Sequence, residues 1–357
     1  MASVFYCLSI FFGLAFRKAK WITVFILITM YVLAVFKTTD ADMLNYLHGY
    51  YAASDEGRYA GFTLFIQTIS SLQLDFEQYL CVFYFIVFGI MTIGIRKLTK
   101  NINFVLASYL ISSYALDVVQ MKTAFADSIV LLAFAYFFGN ENSFSKKQIS
   151  ITIGILFLAM FIHFSVAFYL LAFVIYLILR GKKYYLIKIL LITAAFAILF
   201  SGVGFSTILS IGSILGMLGD DNEYLSGWMN QGTRLGFLVP FLEVFFIVSP
   251  YLLLRNKIVE VEEKNTTIEL KLFIYTVILT LPFLYLNVNY TRLFRIYLIL
   301  SAVMISNYGI RLKYKLHELL MLLLFFVSLI YTFITDTYQY WDTTLGALLN
   351  ANGFLSF

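Results

Sequence analysis

Two arginines late in the chain are the residues best suited to chemistry. In the stretch that covers 287–300, Asn289, Arg292 and Arg295 recur at every third position. This spacing would place all three on one face if the stretch opens a helix. Two guanidinium groups on one face form a clamp suited to a phosphate or a diphosphate. The alternatives are a buried acidic partner and arginines that snorkel to anchor a helix end.

A second polar face lies in the middle of the chain. Asp117, Gln120 and Asp127 would share one face of a helix, and Lys122 lies beside them. A charge near the centre of a membrane helix costs roughly 2.5–3.5 kcal/mol or more, so such residues are functional by default. The pattern indicates either a functional site or an internal lysine–aspartate pair that holds two helices together.

An isolated histidine and an acidic loop complete the set. His163 lies in an apolar stretch two residues before Ser165, so it is either a proton acceptor or a packing residue. The loop that begins at Lys37 combines carboxylates, which bind hydroxyls, with aromatic rings, which stack on sugar faces. It suits a sugar site, although tyrosines also gather at ordinary membrane interfaces. Its acids and rings include Asp40, Asp42, Tyr46, His48, Tyr50 and Tyr51.

The elements that must position these residues are membrane helices. The chain has 357 residues, of which 61% are hydrophobic and 13% are charged. A soluble domain is about 45–50% apolar and about 25% charged. This composition excludes a soluble enzyme, a disordered chain and an outer-membrane barrel, whose strands alternate polar and apolar residues. We predict an all-α fold, a single transmembrane domain over 1–357 with twelve spans. The spans are predicted near 3–16, 21–36, 78–95, 102–117, 123–138, 149–162, 164–179, 184–202, 235–254, 272–287, 293–310 and 317–335.

The distribution of lysine and arginine predicts the orientation. Most of these cations fall in alternate short loops, which the positive-inside rule places in the cytoplasm. Two long loops then lie outside, at 37–77 and 203–233, and the first contains an amphipathic helix over 61–74. The cations left at the outer face are Lys37, Arg58, Lys122, Arg234, Arg292 and Arg295. The chain contains no Walker A motif, no HExxH and no metal-ligand spacing, so we expect no cofactor, no metal and no nucleic-acid partner.

The order of these motifs resembles the EpsG/Wzy-type polysaccharide polymerases of bacterial exopolysaccharide and capsule pathways. The family's early D-x-x-x-Y element resembles Asp42 to Tyr46, and its H-x-S-A element resembles His163 to Ala167. The remaining elements resemble EGRYAGF from Glu56, VVQMKTAFA around Gln120, Tyr224 to Arg234, and Arg292 or Arg295 followed by Tyr297. Two features depart from the family. Lys122 stands where arginine is usual, and the element that begins at Glu56 lacks its proline.

The resemblance implies a glycosyltransferase-type polymerase in the bacterial plasma (inner) membrane, with its site facing the outside or periplasm. Such an enzyme transfers a growing glycan from undecaprenyl diphosphate to a hydroxyl of an incoming lipid-linked repeat unit. The candidate catalytic bases are His163, Asp40 and Asp42. The candidate diphosphate ligands are Arg292, Arg295, Arg234 and Lys122. The candidate substrate-binding residues are Tyr46, Glu56, Arg58, Gln120, Tyr224 and Tyr297. Its partners would be the lipid-linked oligosaccharide, membrane lipid, and the chain-length regulator and flippase of the same pathway.

Two rival functions remain open at this point. A transporter or flippase of lipid-linked glycans also suits twelve spans with polar residues inside the membrane. Against it, the polar residues gather at the outer face, and the two halves of the sequence show no repeat. A related glycan ligase or an acyltransferase is the second rival. An acyltransferase should carry a cytoplasmic His–Asp pair, and the predicted cytoplasmic side offers only His317.

Overall fold

The described part of the protein is helical throughout. The structure is a computed structural model that describes residues 1–37, 40, 42–53, 59–139, 144–200, 238–252, 264–286, 288–308 and 316–350. Within these ranges there is no β-strand, so the predicted all-α fold class is confirmed.

The described ranges contain seventeen α-helices, numbered in chain order. Those of the first half are α1 Ala2–Ala15, α2 Lys20–Val35, α3 Met43–Tyr51, α4 Ala60–Ser70, α5 Phe76–Leu98, α6 Ile102–Ser112, α7 Tyr114–Val119, α8 Met121–Phe138, α9 Lys146–Met160, α10 Val166–Leu179 and α11 Tyr185–Phe200. Those of the second half are α12 Leu238–Leu252, α13 Lys264–Ile274, α14 Leu281–Leu286, α15 Phe294–Tyr308, α16 Leu316–Thr332 and α17 Leu345–Asn350. Short 3-10 or π segments at Tyr275–Thr280, Val288–Leu293, Phe333–Thr337 and Tyr338–Thr343 join some of them.

In the part of the chain that the structure describes, three helical stretches are long and apolar enough to cross a membrane. By length and composition alone they are Phe76–Leu98, Met121–Phe138 and Glu318–Thr343. Several other apolar helices have 10–17 residues, among them α1, α2, α6 and α10. A full crossing needs about 20 residues, so the number of spans stays a prediction at twelve. Of the predicted outer loops, α4 lies within the first, whereas 203–233 falls outside the described residues.

Local sequence explains where the longest helix begins and ends. The Asp75 carboxylate accepts the backbone N–H of Gln78 at 2.8 Å, and the Gln78 side chain accepts the Asp75 N–H at 3.1 Å. This reciprocal capping satisfies two donors that the first turn of a helix leaves unpaired. At the other end, Arg96 and Lys97 lie in the last turn, where the helix dipole favours positive charge.

The core is built around α8 and α15. Helix α8 packs against α5 and α9, and Gly94 of α5 lies against Leu131 of α8. Helix α15 is buried over nearly its whole length and packs against α6, α8 and α13. The chain leaves the helical path at Ser113 and again at Gln120, so the six-residue helix α7 separates α6 from α8. Between the two breaks, the side chain of Asp117 in α7 reaches Arg295 of α15.

Candidate functional site

His163 lies in the turn that joins α9 to α10. It is 8% exposed, and its Nδ1 atom lies 2.6 Å from the Ser165 hydroxyl. The Ser165 backbone N–H also donates to Nδ1, at 3.3 Å. The Tyr59 ring stacks on the imidazole, with centroids 5.0 Å apart and planes inclined by 15°. The imidazole is therefore fixed on one edge by Ser165 and on one face by Tyr59.

Tyr59 reaches the histidine because α4 approaches the end of α9 very closely. The Gly61 N–H donates to the Phe161 carbonyl at 2.9 Å. A Cβ atom at position 61 would lie 2.9 Å from the Phe161 carbonyl carbon and oxygen, closer than real Cβ atoms come. Glycine at this position thus permits the contact that brings Tyr59 onto His163.

Replacing Gly61 with alanine is expected to lower the free energy of unfolding by about 1–3 kcal/mol, because the added methyl overpacks against backbone that cannot yield. Gly154→Ala is the matched control, since a Cβ there meets nothing within 4 Å. That helical substitution should be neutral or stabilising by about 0.5–1 kcal/mol. Thermal unfolding in detergent measures both variants. Equal midpoints for the two would contradict the close approach.

Lys122, the second residue of α8, lies among three aromatic rings. Its Nζ atom is 5.2 Å from the centroid of Tyr59, 5.8 Å from that of Phe62 and 5.9 Å from that of Tyr46. A cation within about 6 Å of a ring face is attracted by the ring quadrupole. These contacts bring α3, α4 and α8 together, so the structure joins two motifs about 75 residues apart.

The two acids of the first loop have different surroundings. Asp40 forms an ion pair with Lys37, with Nζ and Oδ2 2.5 Å apart, and its Oδ1 accepts the Asp42 N–H at 2.8 Å. Lys37 is buried and also donates to the Val118 carbonyl at 2.8 Å and to the Tyr84 hydroxyl at 3.1 Å. Asp40 is thus tied into a structural network.

Asp42 immediately precedes α3 and is partly exposed. Its carboxyl has a pKa above the ordinary aspartate value because of burial and the neighbouring charge of Asp40, against the opposing effects of Lys122, Arg292 and Lys37. A carboxyl with a raised pKa is a stronger proton acceptor once it is ionised. Asp42 therefore lies in the same electrostatic environment as two of the predicted diphosphate ligands.

Arg295 has a buried acidic partner, which is one of the alternatives that the sequence allowed. It is 2% exposed, its Nη1 donates to Asp117 Oδ1 at 2.5 Å, and its Nη2 donates to Gln120 Oε1 at 2.7 Å. The other oxygen of Asp117 accepts the Tyr109 hydroxyl at 2.8 Å. Both carboxylate oxygens of Asp117 are thus satisfied, and two amino groups of Arg295 are occupied within the protein.

Arg292 precedes Arg295 by one turn and differs from it in exposure. It lies in the 3-10 segment Val288–Leu293 and is partly exposed, whereas Arg295 is buried. The pKa of His163 is well below its usual value, because of burial and of the charges of Arg292, Lys122 and Arg295 in decreasing order. The positive charge of Arg292 therefore acts on the His163 imidazole. The two arginines that were predicted to share one helix face therefore differ, because Arg292 is partly accessible and Arg295 is buried.

Several other polar residues singled out from the sequence are either buried or outside the described residues. Tyr297 is fully buried in α15, its hydroxyl pairs with that of Thr276 at 2.9 Å, and its ring stacks on Phe273. This geometry favours a packing role. Asp127 is also buried, and neither of its carboxylate oxygens has a hydrogen-bond partner among the described residues. Four further predicted site residues lie outside the described residues: Glu56, Arg58, Tyr224 and Arg234.

The structure adds two residues to the site that the sequence did not predict, Tyr59 and Tyr109. Tyr59 stacks on the histidine, and Tyr109 donates to Asp117, which holds Arg295. Asp117 itself belongs to the polar face named from the sequence, because a buried acid within an apolar run must find a partner. No sequence signal pointed to Tyr59. In the described ranges no three acidic, histidine or cysteine side chains gather in a way that could hold a metal ion.

Comparison with known proteins gives one informative result. A family model described as the EpsG family matches residues 3–344, nearly the whole chain. No curated protein and no solved structure matches the sequence.

Proposed function

The chain belongs to the EpsG family, as its motifs predicted, and from this premise we propose that it polymerises lipid-linked oligosaccharides at the outer face of the bacterial plasma membrane. Membership itself implies a function of the polysaccharide-polymerase type and is consistent with apolar helices that could span a membrane. The proposed substrates are undecaprenyl-diphosphate-linked repeat units, and the growing glycan is transferred to the incoming unit.

One observation supports the proposal most directly. Asp42, His163, Lys122 and Arg292 come from four separate parts of the chain, yet the charges of Lys122 and Arg292 act on both the Asp42 carboxyl and the His163 imidazole. Transfer of a glycan from a lipid diphosphate needs a proton acceptor for the incoming hydroxyl and fixed cations for the departing diphosphate. A carboxylate, an imidazole and two cations beside a partly exposed loop supply both requirements.

The proposed reaction has a simple balance of bonds. The acceptor hydroxyl loses its proton to a base of the site, and its oxygen forms a bond to the anomeric carbon of the growing glycan. The bond from that carbon to the diphosphate oxygen breaks, and the electron pair leaves with the diphosphate. Lys122 and Arg292 would stabilise the negative charge that develops there, because fixed cations need not reorganise as the charge appears. The partly exposed aromatic ring of Tyr59 would offer a stacking surface to a sugar.

The decisive experiment uses the purified full-length protein in detergent or liposomes with lipid-linked repeat units alone. We expect a ladder of products that differ by one repeat, formed without ATP or a nucleotide sugar. Gel electrophoresis of the released glycans measures it. A flippase would move the substrate across liposomes and leave its length unchanged, and a ligase would yield a product only with a different acceptor. Either result would contradict the proposal.

A further inference from the structure

Three residues could take the proton of the acceptor hydroxyl, and the structure separates them. Asp40 is excluded first as the base. One of its oxygens is paired with the Lys37 ammonium at 2.5 Å, and the other accepts the Asp42 N–H at 2.8 Å. Its side chain has no exposed surface. A substrate hydroxyl cannot reach a carboxylate that is both enclosed and paired in this way.

The hydrogen bonds of His163 fix which ring nitrogen carries its proton. A backbone N–H can only donate, and that of Ser165 donates to Nδ1 at 3.3 Å. Nδ1 must therefore present its lone pair, and in the neutral imidazole the proton lies on Nε2. The Ser165 hydroxyl, 2.6 Å from the same nitrogen, then also donates to it. Nε2, the other ring nitrogen, is thus a donor.

A histidine in this tautomer is badly placed to act as a base. To accept a proton at Nε2, the ring would first have to move its own proton to Nδ1, where it would face the Ser165 N–H. The surroundings keep the ring neutral. Burial and the charges of Arg292, Lys122 and Arg295 lower the pKa of His163, and the Tyr59 ring covers one face. What His163 offers to a ligand is one N–H group.

The donor nitrogen lies in cationic surroundings. Among the described residues, the charges that act most on His163 are positive: Arg292 from the 3-10 segment Val288–Leu293, Lys122 from α8 and Arg295 from α15. An N–H donor among cations matches an anion and repels an incoming proton. The geometry is therefore that of an anion site.

We infer, on the basis of the proposed function, that Asp42 is the base and that the Nε2–H of His163 donates a hydrogen bond to the leaving diphosphate. The acceptor hydroxyl gives its proton to the Asp42 carboxylate as its oxygen bonds to the anomeric carbon. The carbon–oxygen bond to the diphosphate breaks, and the electron pair goes to a diphosphate oxygen that Arg292, Lys122 and His163 contact. His163 neither gains nor loses a proton in this step.

The first test compares two replacements of the histidine in the polymerisation assay. The side-chain amide of glutamine can place an N–H close to the position of Nε2, but it cannot act as a base. His163→Gln should therefore retain activity within about tenfold of wild type, whereas His163→Phe should lose about 10²–10³-fold, as when one donor to a developing anion is removed. His317→Gln, the same change on the predicted cytoplasmic side, is the matched control and should leave the rate unchanged.

The second test concerns the acid. Asp42→Asn should lower the rate about 10²–10⁴-fold, the usual contribution of a general base. The Asp42 side chain makes no capping hydrogen bond with α3, so the variant should fold. Asp75→Asn at the start of α5 makes the same change at another helix N-terminus and should leave the rate unchanged. In wild type, activity should fall as the pH drops through the raised pKa of Asp42, since the base works only when ionised.

The tautomer itself has a readout that does not depend on activity. Nitrogen-15 spectra of histidine-labelled protein distinguish protonated from unprotonated ring nitrogens, and comparison with His163→Gln assigns the signal. We expect a proton on Nε2 and none on Nδ1. A proton on Nδ1, or His163→Gln as inactive as His163→Phe, would overturn the donor role. Asp42→Asn within tenfold of wild type would overturn the base. Wild-type protein that makes no polymer would instead refute the proposed function, and the spectrum would still report the tautomer.

Discussion

Arg295→Met is expected to destabilise the protein by about 3–5 kcal/mol, because it leaves the buried Asp117 carboxylate without its partner. Both groups are almost fully enclosed, with side chains 3% and 2% exposed. Methionine keeps much of the volume of arginine, so the loss would come from the unpaired charge and not from a cavity. In a chain of this size such a change lowers the unfolding midpoint by on the order of 10 °C.

Two further variants isolate the cause. Adding Asp117→Asn to Arg295→Met removes the stranded charge and should recover a large part of the lost stability. Arg180→Met is the matched control, since Arg180 pairs with Glu269 at 3.6 Å and both side chains are partly exposed. Exposed pairs contribute about 0–1 kcal/mol, so this variant should stay close to wild type. If Arg295→Met unfolded at the same temperature as Arg180→Met, the pair with Asp117 would not be structural.

Arg292→Ala is expected to lower the rate of polymerisation about 10²–10³-fold, as for the loss of one preorganised group that stabilises a developing anion. Unlike Arg295, this arginine is partly exposed and lies at the end of a 3-10 segment. Its removal should therefore leave the unfolding midpoint near that of wild type. Arg292→Lys should restore part of the rate, because lysine keeps the charge and loses the paired geometry.

The control for Arg292 is Arg96→Ala, the same change at an exposed arginine in the last turn of α5. It should leave the product ladder unchanged. Initial rates with lipid-linked repeat units measure all three variants. A normal rate for Arg292→Ala, or a rate that falls only in proportion to lost folded protein, would remove Arg292 from the diphosphate site.

Arg292 and Arg295 show what residue spacing can predict and what it cannot. Spacing by three residues predicted a shared face, and the sequence left both an anionic ligand and a buried acid as partners. The structure gives Arg295 the acid, from a residue 178 positions earlier. That pairing depends on how α7 lies against α15, which in turn depends on the helix breaks at Ser113 and Gln120. No local pattern encodes the distance between two helices.

The helices themselves were predictable from the sequence. Apolar runs marked out α1, α2, α5, α8 and α10 to within a few residues, because a segment in lipid must satisfy its backbone internally and can do so only as a helix. The amphipathic helix expected over 61–74 lies at Ala60–Ser70, with Phe62, Ile66 and Ile69 buried. The prediction of one continuous helix was less accurate where polar residues interrupt an apolar run. The span expected over 272–287 consists of three short segments of α and 3-10 helix.

The sequence by itself determined that this protein is helical, that it carries apolar runs suited to lipid, and which motifs place it in its family. Those properties are local, since they depend on hydrophobicity over one run and on residue types at short spacing. Only the tertiary structure decided that Asp40 is paired with Lys37 and enclosed whereas Asp42 is partly exposed, that Tyr59 covers His163, and that Arg295 is held by Asp117. These facts depend on contacts between separate helices, and the free energy of each charged group is set by the partners that folding brings to it.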